Sequence, residues 1–151
     1  MGQATHDQAN LLLKLYDLRR EPRLREARTW FAQSFDARTP EEMNSRYPMG
    51  SDANASFRMV VSYWDMAAGL VNRGLIDDEL FFENGGEAWF VWERLRALAP
   101  AMRAASKNPH AWSQLEALAK RMEEWQERRA PGHYAAIRQR MNPERPSNAS
   151  R

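Results

Sequence analysis

No cysteine occurs among the 151 residues, which excludes disulfides, thiolate nucleophiles and zinc–thiolate sites together. A cytoplasmic home is compatible with that absence and is the expected location. No apolar run approaches the roughly eighteen residues of a membrane span. The stretch Met1-Gly2-Gln3-Ala4-Thr5-His6-Asp7 lacks the basic-then-apolar pattern of an export signal. One-sided charge is missing too, because 22 basic residues face 20 acidic ones for a formal net charge of +2. That balance creates no field demanding nucleic acid. The three histidines, His6, His110 and His133, are scattered, whereas a metal site needs several ligands converging. Gly85-Gly86 stands without the strand and lysine of a phosphate-cradling loop, and no serine sits in a nucleophile-elbow context. No catalytic residue, metal site or cofactor is expected, and the chain reads as a non-enzyme.

What is abundant is aromatic and helical. Six Trp and eight Met are many for this length, and most of the Trp side chains should be core. Helix punctuation recurs from end to end, with no alternation of strand type. Thr5 and Gln8 make a capping box for a helix through Leu11, Leu12, Leu15 and Tyr16 to about Arg19. Pro22 suits the first turn of a second helix carrying Leu24, Ala27, Trp30, Phe31 and Phe35. Thr39-Pro40-Glu41-Glu42 starts a short third helix that Tyr47-Pro48-Met49-Gly50 stops.

Ser51 or Asp52 then caps the longest helix, whose apolar positions 60, 63, 64, 67, 70 and 71 share one face. Gly74 closes it and Asp77 caps a two-turn successor ended by Asn84-Gly85-Gly86. The next pattern runs from Ala88 to Met102 with Pro100 inside it, which predicts a kink or split near Leu98. Asn108-Pro109 is expected to open a helix with Ala111, Trp112, Leu115, Leu118, Met122 and Trp125 on its apolar face, ended by Pro131-Gly132. Tyr134 to Met141 reads as a last short turn, and residues 142–151 as a disordered tail. The expectation is an all-α, single-domain bundle of about five to seven helices over residues 1–141.

Charged residues take bland readings. Asp77, Asp78, Glu79, Glu83 and Glu87 cluster at a helix start, where acids offset the positive end of the helix dipole. Two basic regions, Lys14 to Arg28 and Lys120 to Arg140, are interleaved with acids and lack a one-sided stripe. Asp65 sits beside Trp64 in the most apolar helix. If it points inward it needs a cation, and Arg103 and Arg28 are the candidates for a register-fixing ion pair. A ligand-binding carboxylate and an exposed one are the other readings.

The order of several motifs is similar to that of a bacterial family of unknown function, DUF4760. Carrying the resemblance are Tyr16-Asp17, Arg25-Glu26-Ala27-Arg28 and a long helix ending Val71-Asn72-Arg73-Gly74-Leu75-Ile76-Asp77. Downstream come Phe90-Val91-Trp92-Glu93, Leu98-Ala99-Pro100 with Arg103, and Trp112 with Leu115-Glu116-Ala117-Leu118-Ala119. The resemblance implies a mostly helical fold over roughly residues 10–120; no activity, cofactor or catalytic residue is established for the family, so it implies no function. Some family members carry membrane segments, and none is expected within these 151 residues.

The leading functional expectation is a non-enzymatic protein-interaction or assembly module. Trp89, Phe90, Val91 and Trp92 are consecutive, so they point around most of a helix. Either neighbours surround that helix or one side meets a protein partner or a second copy of the chain. A nucleic-acid-associated protein using the Arg-rich helices is an alternative, disfavoured by the interleaved acids. A small-ligand pocket lined by Trp64, Asp65 and Trp92 is another. Candidate interaction or pocket residues are therefore Trp64, Asp65, Trp89, Trp92 and Arg103.

Overall fold

A computed structural model describes residues 3–141. The expected tail at 142–151 lies outside the described residues. Among these there are nine α-helices and no strand: α1 (His6–Arg19), α2 (Pro22–Ser34), α3 (Pro40–Arg46), α4 (Asp52–Asn72), α5 (Asp78–Asn84), α6 (Gly86–Leu95), α7 (Ala99–Ser106), α8 (Ser113–Arg129) and α9 (His133–Met141). The fold class is as expected, but the helix number exceeds five to seven. Short helices account for the excess, since α3, α5 and α7 span only 7, 7 and 8 residues between tight stops.

The helix starts follow capping chemistry. Thr5 and Gln8 form the reciprocal capping box, Thr39 accepts from the Glu42 N–H, Ser51 from Asn54 and Asp77 from Leu80. Pro22 and Pro40 occupy first turns, where the missing N–H costs nothing. At the end of α4, Gly74 adopts φ +75°. Its N–H bonds the Val71 carbonyl at 2.9 Å and the Leu75 N–H bonds that of Leu70 at 3.0 Å. That pair of bonds is a Schellman closure, open to glycine because it has no Cβ to clash.

Helix α4 is the centre. It packs against α2, α8 and α6, while α6 and α9 also lie on α8 and α3 meets α7. Val60, Tyr63, Trp64, Ala67 and Val71 are buried as the periodicity predicts, joined by Phe57, Val61 and Ala68. Phe31, Phe35 and Phe57 cluster between α2 and α4, with Trp30 edge-on to Phe35 and to Tyr47. On α6, Trp89 and Val91 are buried and Phe90 and Trp92 half-buried, so neighbours surround the helix.

Two sequence expectations need correction. Asn108-Pro109 does not open a helix. Lys107 leaves α7 in the left-handed conformation, and Asn108 Oδ1 then accepts from the His110 N–H at 3.1 Å, folding a turn. Trp112 is left-handed as well, so α8 begins only at Ser113. The second correction concerns Asp65. Neither Arg103 nor Arg28 pairs with it: Arg103 binds Glu116 and Arg28 binds Glu87. Instead its Oδ1 accepts from the Leu115 N–H at 3.0 Å, capping the third residue of α8 from a neighbouring helix. Trp112 offers no side-chain acceptor at that start, so the cap has to come from elsewhere.

Candidate binding groove beneath α1

Helix α1 buries one residue, Leu15, and presents Leu13, Tyr16 and Leu18 outward with exposures of 65%, 52% and 47%. Leu13 and Tyr16, three residues apart, share one side of the helix, whereas Leu18 lies on the other, and an exposed apolar pair beside a groove is informative. Four polar contacts tie the helix down. The Tyr63 hydroxyl donates to the Leu15 carbonyl, and Gln8 Nε2 to the Gly74 carbonyl at 3.5 Å. Arg28 Nη1 donates to the Arg19 carbonyl at 3.2 Å, and Arg19 Nη1 lies 3.6 Å from Glu87 Oε2.

Between α1 and the α4–α5 edge lies a groove of about 240 Å³. Leu12, Leu13 and Tyr16 form one wall; Tyr63, Trp64 and Phe81 form the other, closed off at Asn84 and Gly85. Gly85 belongs there for a steric reason, because an added Cβ would stand 2.6 Å from the Phe81 ring. Trp64 is 2% exposed, and its indole N–H is buried without an acceptor among the described residues. Unpaired donors of this kind are uncommon in native cores.

Arg19 is the charged residue lining the groove. Its guanidinium sits 4.4 Å from the Tyr16 ring centroid and 5.8 Å from that of Trp64. Glu87 is its carboxylate partner, but Arg28 holds Glu87 more closely, through bonds of 2.8 and 2.6 Å. Two guanidiniums therefore share one carboxylate. The Arg28 guanidinium is held above its ordinary pKa chiefly by that hydrogen-bonded pair. Arg19, Arg28 and Glu87 together therefore leave more positive than negative charge beside the groove.

Tyr63 couples the groove to pH. Burial pushes its hydroxyl up to about 12, against the opposing pull of Arg19 and Arg28. A phenol raised in the folded state contributes stability that is complete below its ordinary value near 10 and is lost as pH climbs through about 12. Tyr63→Phe should cost about 1 kcal/mol at pH 7 through the lost bond to Leu15. Urea unfolding from pH 9 to 12 should show the gap between wild type and variant closing. A constant gap would contradict the buried phenol.

The five residues singled out from sequence do not form one site. Trp64 lines the groove. Asp65 and Arg103 serve the start of α8, Asp65 at Leu115 and Arg103 through Glu116 at 2.8 Å and the Ala111 carbonyl at 2.8 Å. Trp92 lies 5.9 Å from the Arg103 guanidinium. Trp89 is 1% exposed and holds α9, stacked on Tyr134 at 3.8 Å. Of Trp64, Asp65 and Trp92, the lining of the alternative small-ligand pocket, Trp64 alone lines this groove, whose other walls come from α1 and α5. Leu13, Tyr16 and Arg19 were missed. The sequence signal was present in α1, where Leu11, Leu12, Leu13, Leu15, Tyr16 and Leu18 are too many for one buried stripe.

No helix of the described residues is long and apolar enough to cross a membrane. Likewise, no three of their Asp, Glu and His side chains group to hold a metal ion. No curated protein and no solved structure matches the chain. A family model does, across residues 4–122, and the chain belongs to the family described as Domain of unknown function (DUF4760).

Proposed function

We propose that this chain is a non-enzymatic protein-interaction module whose working surface is the groove beneath α1. Its occupant is a segment of a partner protein that inserts one aromatic or aliphatic side chain beside an acidic residue. The observation carrying this reading is an apolar slot with a single charged group at its mouth, Arg19, whose carboxylate partner is already taken by Arg28. Interfaces concentrate their energy in anchor side chains that fill such pockets. About 240 Å³ exceeds the roughly 150 Å³ that accommodates benzene, so one large side chain fits and a whole helix does not. The exposed Leu13 and Tyr16 would form the rim that excludes water around the anchor. A small amphipathic carboxylate is the second reading, favoured by the orphaned Trp64 indole N–H beneath the slot.

Peptide selection from a random display library tests the proposal. Enriched peptides should combine an aromatic or bulky aliphatic residue with a neighbouring Asp or Glu. Their affinity should fall at least about tenfold for Arg19→Glu, which reverses the charge at the mouth. Selected peptides that bind wild type and Arg19→Glu alike, or that lack acids, would remove the groove from consideration.

A further inference from the structure

A second cleft, of about 850 Å³, opens on another side of the molecule between the α2–α3 connection, α6 and α9. Its lining is rich in guanidinium: Arg38, Arg94, Arg96 and Arg138 against the carboxylates of Asp36 and Glu93. Both carboxylates are already committed. Glu93 accepts from Arg138 at 2.7 Å and from Arg96 at 3.1 Å, and Asp36 lies 3.3 Å from Arg46. Arg138 also reaches Glu123 at 2.8 Å. No carboxylate of the described residues lies within 4.0 Å of the guanidinium nitrogens of Arg38 or Arg94, although the Arg38 backbone N–H donates to Glu42 Oε2 at 2.7 Å.

Arg94 is the anomaly. It is half-buried, its Nε has no acceptor among the described residues, and its Nη1 donates to the Phe35 carbonyl at 3.2 Å. Burial lowers its pKa, with Asp36 pulling the other way. A cation placed like this costs free energy unless an anion meets it. The Phe90 ring, 5.2 Å from the guanidinium, helps hold its plane, and the planar fork suits two oxygens of one anion.

We propose that this cleft binds a phosphate monoester dianion, with Arg94 and Arg38 as its principal ligands and Arg96 at the edge. A dianion supplies two negative charges to two guanidiniums that no carboxylate of the described residues holds in an ion pair. The site is separate from the groove beneath α1, and neither depends on the other.

Calorimetric titration of the full chain with inorganic phosphate and with pyrophosphate, at low ionic strength, tests it. Both probes should bind at one site, with sulfate competing and chloride not. Arg38→Gln, at an exposed position that leaves the core alone, should weaken binding at least about tenfold, as should Arg94→Gln if it folds. Arg128→Gln, outside the cleft, should change nothing. No heat up to about 10 mM phosphate at ~20 mM salt, where surface charge is least screened, would overturn the proposal. So would equal binding by Arg38→Gln, or tighter binding of a single-stranded oligonucleotide, whose diesters carry one charge each, than of pyrophosphate.

Discussion

Trp89→Ala should lower stability by about 3–5 kcal/mol, the range for emptying a fully buried large aromatic site. For a chain of this length that is roughly a 6–20 °C fall in melting temperature. The cost is high because Trp89 joins three helices. Its ring stacks on Tyr134 of α9 at an interplanar angle of 7°, and its indole N–H reaches Glu123 of α8 at 3.4 Å. The Arg138 guanidinium lies 5.3 Å from its centroid. Loss of the ring should therefore release α9 first, with amide exchange over residues 133–141 rising ahead of the rest. A melting point within about 2 °C of wild type would show that the site collapses without penalty, against this description of the core.

That corner also responds to acid. Glu123 is held below the ordinary carboxylate value, chiefly by its hydrogen bond from Arg138. A carboxyl depressed on folding contributes stability that is present above its ordinary value near 4.5 and is lost as pH falls through the lower folded one.

Asp65→Ala is expected to cost about 1–2 kcal/mol, or a fall of roughly 2–8 °C, because α8 then starts without a cap. Its first residue follows a left-handed Trp112, and the third N–H loses its acceptor. Asp65→Asn separates two contributions. It keeps an oxygen for the Leu115 N–H but removes the negative charge near the positive end of the α8 dipole. About 0.5 kcal/mol should be lost in that variant, and the loss should shrink with added salt. The other ties at this junction remain, since Asn72 Nδ2 donates to the Gln114 carbonyl at 2.9 Å and Arg121 Nη2 donates to Asn72 Oδ1 at 2.9 Å. An Asp65→Ala protein as stable as wild type in thermal melts would mean that water caps α8 equally well.

Local chemistry made most of the fold readable. Caps such as Thr5, Thr39, Ser51 and Asp77 act within three residues of themselves, so the chain spells out those helix starts directly. Pro100 divides α6 from α7 where expected, because its effect is also local. What escaped were partnerships made across the fold. Asp65 is fifty residues from the N–H it caps, and nothing in its neighbourhood names Leu115 rather than a cation. Charge alone suggested Arg103 and Arg28, yet Glu116 and Glu87 hold those two.

The candidate groove shows the same divide. Aromatic excess at 89–92 drew attention to α6, but burial depends on neighbours, and α4, α8 and α9 cover that helix. The exposed Leu13 and Tyr16 belong to α1, whose apolar residues outnumber one buried stripe, but the sequence does not say which of them stay uncovered. Among the groove residues the sequence marks only Trp64 as a site candidate, because a tryptophan at a core position beside an acid stands out.

Tryptophan indole signals give the most direct test of the groove. Six indole N–H resonances should be countable in a two-dimensional nitrogen–proton spectrum. Adding an acidic, aromatic-anchored peptide from the selection should move that of Trp64, leave those of Trp112 and Trp125 in place, and have no effect on the Arg19→Glu protein. A peptide that binds while the Trp64 signal stays still would contradict the assignment of the groove as the working surface.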